Sequence, residues 1–386
     1  MRLDRGDRIR AFHIARVFAE AGYDVEVCAF ETGRSAPARG VRESGASRVD
    51  VVTRSGAAAA MAALPALASN TPLQVAYYRS RKMRRLIAGA AARRPDVVIA
   101  HLFRMAPFAL EVKGAYRVLD LCDSVAGEMA RSLPHRRGLS RLVYEIETPR
   151  VRRYEVEIAK CFDEVWTVAP RDREELVERG APPGVRVVPN GVDPTWFETP
   201  RRGMKRDGLV LFVGHLGVPH NADAVRFFAS EVVPLIRTEL PHAQFVAAGT
   251  GAGRSLRSLE RRGLVRLPGF VPDLRRTLEE ATVFVAPLRF AAGVQNKMLE
   301  AMAVGCPVVA TPIVNAGVGA QPGSEIVLAA EPASLAAETI ALLKDRDRAE
   351  RLGEGGRLLV ETRFTWNPMR SRAEQLRRRP VGGKSP

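Results

Sequence analysis

Several absences narrow what this chain can be. No apolar run approaches the roughly 20 residues that a helix needs to cross a bilayer. The opening residues, MRLDRGDRIR, carry no apolar stretch of the signal-peptide kind. Together these point to a cytoplasmic protein. The four cysteines, Cys28, Cys122, Cys161 and Cys306, form no CxxC pair and stand near no His at metal-ligand spacing. A zinc site or disulfide framework is therefore a poor reading, and small buried apolar side chains a better one. Aromatic residues are only 6% and no basic-aromatic module appears, so a nucleic-acid partner is not expected.

What is present is an ordinary globular composition in 386 residues, 46% hydrophobic and 26% charged. That length favours two domains, because single cores seldom grow past about 250–300 residues. Lys and Arg number 59 against 43 acidic residues, a net charge of +16. Dense basic patches occur at RSRKMRR (79–85), RSLPHRRGLSR (131–141), PRVRR (149–153) and RRGMKR (201–206). Each alone reads as solvated surface. Together they suggest a surface that works near something negative, and an anionic membrane surface fits as well as a polymer.

Short apolar, β-branched runs alternate with helix-length segments throughout. The first half has them at 24–30, 49–54, 95–102, 116–123, 163–170 and 185–191. The second half has them at 209–214, 243–249, 264–270, 282–288, 307–311 and 325–330. Continuous apolar strands separated by helices predict parallel sheets covered on both faces. Two such series predict an α/β chain of two Rossmann-like domains. The expected divisions are 1–197, a polar linker 198–208, a second domain 209–365, and a final helix and tail 366–386. The tail RRRPVGGKSP reads as disordered. The chain opens on a polar loop and passes directly into a helix with apolar residues at Ile9, Phe12, Ala15, Val17 and Phe18. A doubly wound domain should begin with a strand, so a first strand is apparently missing. A start placed too late explains that better than true absence.

Ligands of open α/β sheets bind beyond the C-terminal strand ends. Four such ends in the second half stand out. In LVLFVGHLGVPHN, Gly214 and Gly217 lead toward a helix with Asn221 as its expected cap, a turn that lets phosphate approach backbone amides. A plain tight turn is the competing reading. In AAGTGAG, Gly249 and its neighbours suit either close approach to a base or ribose, or a flexible turn. In LPGFVPDL, Phe270 and Val271 could edge a nucleobase, while Asp273 also suits helix capping. In AAGVQNKMLEAMAVGCPVVAT (291–311), Gly293 is a flexible point. Val294, Gln295, Asn296 and Lys297 would form a first helical turn whose amides and dipole suit a diphosphate. Glu300, about one turn on, could accept from a ribose diol. An ordinary surface Glu is the alternative.

With these four in order, the second half resembles the donor-binding domain of a family-4 glycosyltransferase of the GT-B fold. The matching segments are PNGVD (189–193), FVGHLG (212–217), GF-P-DL (269–274) and LEAMA-G-PVVAT (299–311). FTWNPMRSRAEQL (364–376) is similar to that fold's closing helix, which crosses back to the first domain. GDRIRAFHIARVFAEAGYDVEV (6–27), PDVVIAHLFRMAP (95–107) and YRVLDLCD (116–123) are consistent with its first domain. The nearest likeness is to bacterial sugar transferases of exopolysaccharide or cell-surface glycan systems. Many relatives carry an E-x7-E motif, and counting back from Glu300 gives Ala292. Many also hold the diphosphate with Arg and Lys where this chain has His215 and His220. Neutralisation would then fall on backbone amides, Lys297 and Arg289.

The resemblance implies two domains facing a cleft that closes on transfer of a hexose-type sugar. The donor would be a nucleotide diphosphate sugar. The acceptor would be a carbohydrate, a lipid-linked or a small-molecule hydroxyl compound. Anomeric configuration would be retained without a metal or other cofactor, and no DxD motif is assigned to a divalent ion. His101 and Asp123 fall where the family places polar residues facing the cleft, and Gly6 and Asp7 on the loop nearest the diphosphate. A core histidine and a helix cap are the competing readings of His101 and Asp123. The location implied is cytoplasmic, with the inner face of the cell membrane as a candidate surface. A nucleotide-sugar epimerase and a non-catalytic nucleotide-sugar-binding subunit stay open beside the transferase.

Overall fold

A computed structural model describes residues 6–31, 41, 43–53, 56–197, 205–290 and 294–379. Residues 380–386 of the expected disordered tail and most of the expected linker lie outside these residues, whereas Arg377, the first residue of that tail, ends a helix. The chain divides into two compact units. The first is 1–189 with 366–386, and the second is 190–365.

In the first unit, strands β1 (Glu26–Glu31) and β2 (Arg48–Thr53) pair in parallel. A separate parallel sheet runs in the order β3 (Val97–His101), β4 (Tyr116–Cys122), β5 (Glu164–Thr167) and β6 (Val185–Val187). Helix α1 (Gly6–Glu20) buries Ala15, Val17 and Phe18, as its spacing predicts, and Ile14 as well, while Ile9 and Phe12 are half-buried. It also buries Arg10 and His13, which that spacing does not predict. Gly6 and Asp7 are the first residues of this helix, where a loop was expected. The other helices used below are α2 (Gly56–Ala63), α3 (Val125–Ser132), α4 (Gly138–Ala159) and α5 (Pro170–Glu178).

The second unit is a five-stranded parallel sheet covered by helices. Its strands are β7 (Leu209–Val213), β8 (Gln244–Ala248), β9 (Val283–Ala286), β10 (Val308–Ala310) and β11 (Val327–Leu328). They lie in the order β11-β10-β9-β7-β8. Strands β7 to β10 are buried along their lengths but for Gln244, as the continuous apolar runs require. The predicted strand at 264–270 makes only an isolated bridge, Val246 to Arg266. Pro268 removes a ladder donor and Gly269 turns at φ +76°, so the run cannot propagate. Helices α6 (Pro219–Phe227), α7 (Asn296–Ala303) and α8 (Arg346–Arg363) matter for the site. Residues 190–197, placed with the first domain on sequence, pack here. The Val192 N–H donates to the Phe364 carbonyl at 2.8 Å, and Arg275 reaches the Thr195 carbonyl at 2.6 Å.

The last helix, α9 (Asn367–Arg377), belongs to the first unit. Trp366, Met369, Ala373 and Leu376 pack with Ile14, Val17 and Phe18 of α1 and with Trp166. Trp366 stacks on His13 with ring centroids 4.0 Å apart. Arg372 ties α9 to the buried Glu164 of β5, with Nε to Oε1 at 2.7 Å. Trp166 Nε1 donates to the same carboxylate at 2.6 Å and the Tyr116 hydroxyl at 3.1 Å. These three donors, with Arg186 Nε at 3.2 Å from Oε1, satisfy a buried charge that would otherwise be costly.

Candidate active site

The order of the second sheet reverses between β7 and β9, since β7 leads to β8 on one side and the chain then crosses to the other. Loops at the C-terminal ends of strands beside such a point form the natural crevice for a ligand. Two of these loops are sewn together by their backbones. Gly214 N–H donates to Ala248 O at 3.0 Å and Leu216 N–H to Thr250 O at 2.8 Å. Gly249 N–H donates to Gly269 O at 2.8 Å, joining the 267–274 loop. Gly249 has φ +146°, and a Cβ there would stand 1.8 Å from the Gly214 carbonyl oxygen. Gly251 has φ +87°, with its Cβ position 2.8 Å from the Gly217 nitrogen. These glycines let two backbones touch each other, which accounts for them without a ligand.

His215 Nδ1 accepts from the Gly217 N–H at 3.1 Å. A backbone amide can only donate, so in this contact the ring carries no proton on Nδ1, and a neutral ring carries it on Nε2. Asn221 does not cap the following helix. Pro219, suited to a first helical position, starts α6 earlier, with Val218 as its cap. Asn221 Nδ2 instead braces the loop by donating to the His215 carbonyl at 3.1 Å. Phe270 is half exposed, and Asp273 caps the next helix by accepting from Arg276 N–H at 2.9 Å. Arg289 is already committed. Its Nε and Nη2 bind Asp223 at 2.9 and 2.6 Å, and its guanidinium lies 5.0 Å from the centre of the Phe227 ring. A diphosphate would meet an ion pair there.

Helix α7 begins at Asn296, two residues later than predicted, and Val294 is buried beside it. Gly293 and Ala292 lie outside the described residues. Gln295 precedes the helix, and its carbonyl accepts from Met298 and Leu299. Asn296 Oδ1 accepts from Asn190 Nδ2 at 3.0 Å, which fixes the helix start to the PNGVD segment. Lys297 Nζ reaches both Glu300 oxygens, at 2.9 and 3.2 Å. Burial pushes the Glu300 carboxyl up, and Lys297 opposes that push. The two residues expected to hold different parts of a donor hold each other.

In the first unit, the C-terminal ends of β3 and β4 are held by a buried charge cluster. His101 Nδ1 lies 2.7 Å from Asp120 Oδ2. Arg10 of α1 grips Asp120 with Nε at 2.9 Å and Nη2 at 2.8 Å, and its Nη1 donates to the Val188 carbonyl at 2.9 Å. Arg10 and Asp120 are fully buried. Asp120 and Arg10 are absent from the sequence-predicted site. Their signal was an acid inside the apolar run YRVLDLCD and a base on the apolar face of α1, two opposite charges each in an unsuitable place. Leu102, at φ +72°, and Cys122, at φ +63°, both hold left-handed backbone where these strands end. Such strain in non-glycine residues clusters at functional sites.

Asp123 follows Cys122, but it is Ser124 that caps α3, accepting from Gly127 N–H at 3.1 Å. Burial and then the Asp172 and Glu128 charges push the Asp123 carboxyl up. Asp172 of α5 is 1% exposed, and among the described residues neither of its side-chain oxygens has a well-formed hydrogen bond. Arg131 is its nearest cation, at 4.0 Å. Burial pushes Asp172 up to about 6, with Glu175 adding to the push and Arg131 and Arg171 opposing it. Below its ordinary value of 3.8 this group is protonated in both folded and unfolded chains, and its stabilising effect is then complete. As pH rises through about 6 the unfolded chain binds fewer protons at this residue, and stability falls. Asp172→Asn is therefore expected to stabilise the protein by about 1–3 kcal/mol at alkaline pH and little in acid. Urea unfolding at both pH values reads this. An equal effect at the two would show that the Asp172 charge is not the cause.

Comparison with known proteins adds the family. Residues 6–191 match the model of a glycosyl transferase 4-like domain, and residues 207–345 that of the glycosyl transferases group 1. An uncharacterized 44.6 kDa protein in the cps region of Klebsiella pneumoniae is 28% identical over 129 residues. That match spans 31% of this chain and 33% of the relative. HepE of Anabaena, solved in complex with UDP and glucose, superposes with a TM-score of 0.72 at 16% identity, covering 97% of this chain and 96% of its own. Sucrose-phosphate synthase from Thermosynechococcus elongatus gives a TM-score of 0.70 at 16% identity, covering 97% and 93%. At such identities the two structures establish the fold, of parallel α/β units of the GT-B kind. With one glycosyltransferase model on each half, the chain belongs to the GT-B glycosyltransferases of the family-4-like type.

Proposed function

We propose that this chain transfers a hexose-type sugar from a nucleotide diphosphate donor to a hydroxyl of a carbohydrate, lipid-linked or small-molecule acceptor. The observation that carries the proposal is the start of α7, where the Lys297–Glu300 pair stands beside the sheet's switch point and Asn190 pins Asn296. An incoming diphosphate would compete with Glu300 for Lys297. Lys297 and the first amides of α7 would then neutralise the phosphates. Glu300, released from Lys297, would accept from the ribose diol. The ligands of HepE, UDP and glucose, agree with a donor of this class. The cps-region relative agrees with a role in polysaccharide or surface-glycan synthesis.

On the acceptor half, the Asp120 carboxylate accepts from Nδ1 of His101 and so sets the tautomer of a neutral ring, with its lone pair at Nε2. His101 would orient the reacting groups, and Asp123 would lie beside them. The reaction is proposed to retain configuration, with the leaving phosphate oxygen taking the acceptor proton. A metal-independent course is part of this proposal. Among the described residues no group of three or more His, Cys, Asp or Glu could hold an ion. The D-x-D spelling at Asp345 and Asp347 belongs to a helix start, where Asp345 caps α8 by accepting from Arg348 N–H at 2.9 Å. The proposed place of work is the inner face of the cell membrane. The net charge of +16 supports this, and no helix among the described residues is long and apolar enough to cross a membrane.

Glu300→Ala is expected to weaken donor binding by about 1–3 kcal/mol, roughly five- to 150-fold, as a charged hydrogen-bonding partner is lost. Calorimetric titration with UDP and UDP-sugars measures this. Unchanged affinity in a folded variant would remove Glu300 from the donor site. Product analysis by proton NMR, with and without a chelator, tests the retained anomer and the metal-independent course.

A further inference from the structure

Ten large apolar side chains are exposed among the described residues, and seven of them fall in two short stretches of the first unit. Four lie on the opening turns of α4: Leu139 (77% exposed), Leu142 (52%), Val143 (38%) and Ile146 (47%). Their spacing is i, i+3, i+4 and i+7, so they share one face within an arc of about 100°. A stripe of that pattern normally faces a core. Here it faces solvent, whereas the second half of the same helix buries Val151, Val156 and Ile158. The other three are Met61 of α2 and Leu64 and Leu67 just beyond it. This second stretch is fastened to α4. Arg150, which continues the striped face, donates to the Ala66 and Leu67 carbonyls at 3.3 and 3.2 Å. Glu147 accepts from the Leu73 N–H at 2.7 Å. The seven side chains thus belong to one neighbourhood.

The charges bordering that neighbourhood are mainly positive. Arg136 and Arg137 immediately precede α4, and Arg141, Arg152 and Arg153 lie along it. The exposed acid beside the stripe, Glu145, is paired with Arg141 at 2.8 Å. Apolar side chains edged by arginines complement a surface that offers hydrocarbon under negative headgroups. An apolar partner protein would meet the stripe but gain nothing from the cations.

We propose that the Leu139–Ile146 stripe of α4, with the Met61–Leu67 stretch fastened beside it, docks the first unit onto an anionic lipid bilayer. This gives a location to the membrane reading above and rests on it only for purpose. Docking is measured without donor or acceptor, so failure of docking and failure of sugar transfer are separate results.

The experiment is co-flotation of the full chain with vesicles of phosphatidylcholine alone or mixed with phosphatidylglycerol. Wild type is expected to float with the mixed vesicles and to lose that binding in high salt. Leu139→Glu/Leu142→Glu should bind them on the order of tenfold or more weakly. Arg137→Glu should weaken binding to mixed vesicles only. Because these side chains are exposed, the variants should keep the wild-type melting temperature and the shift produced by UDP. Three results would overturn the proposal: no wild-type binding, equal binding by wild type and the double variant, or equal binding to the two vesicle types. A fourth is a wild-type dimer in sedimentation velocity that the double variant dissolves without any vesicle binding. That result would assign the stripe to a second copy of the chain.

Discussion

Arg10→Met is expected to cost about 3–5 kcal/mol of stability, the usual penalty for breaking a buried ion pair from one side. Asp120 is fully buried, and its strongest partners are the two Arg10 nitrogens. Burial alone would raise its pKa, but Arg10 and then His101 hold the carboxyl well below the usual carboxylate range. This contribution is present above the ordinary value of 3.8 and is lost as pH falls through the depressed folded value. Arg10→Met/Asp120→Leu should recover most of the stability, because a well-packed apolar pair avoids the desolvation cost. Urea denaturation across pH reads all three proteins. A loss below about 1 kcal/mol in the single variant would mean that Asp120 does not need Arg10. Asp120→Asn tests the other partner. It removes the carboxylate that selects the His101 tautomer, and turnover should fall about a hundredfold or more with a displaced pH profile. A lower rate with an unchanged profile would leave Asp120 a purely structural role.

Gly249→Ala is expected to be as damaging, through the backbone. Its Cβ would stand 1.8 Å from the Gly214 carbonyl oxygen, and φ of +146° is a conformation that L residues rarely adopt. Relief requires the 214–217 and 249–251 loops to separate, losing the bonds from Gly214 N–H and Leu216 N–H. Strain and lost bonds together put the cost at about 3–5 kcal/mol. Gly253→Ala is the control on the same loop. That residue has an ordinary φ of −78° and open space at its Cβ position, so its change should stay within about 0.5 kcal/mol. Melting temperatures of the two variants separate them. If they melt together, the junction of the two loops is not the constraint.

The sheets were legible in the sequence because a parallel strand buried on both faces must be apolar along its length, as LVLFV and VFVA are. The strand at 264–270 was misread because apolar content outweighed Pro268 and Gly269. Lys297 and Glu300 were legible as a pair of charges at a helix start. Their mutual bond was not, because one-turn spacing permits it without requiring it. Arg289 was legible as a cation, but its ion pair was not, since Asp223 lies 66 positions away in sequence. The Arg10–Asp120 pair was missed for the same reason, with 110 positions between partners. Side-chain pairing at such separations depends on how the strands are ordered, and periodicity carries no record of that order.

The closing helix bears on how the chain is made. Trp366, Met369 and Leu376 complete the core of the first unit, yet the ribosome must synthesise the whole of residues 190–365 before reaching them. At about 5–20 residues per second, α1 and Trp166 wait on the order of ten seconds or more for their cover. During that interval the Phe18 side of the first unit is exposed beside a nascent second unit that can already fold from its own contiguous residues. Chaperone dependence should therefore concentrate on the half of the protein translated first, and a nonsense mutation just before Trp366 would damage the domain farthest from it in the message.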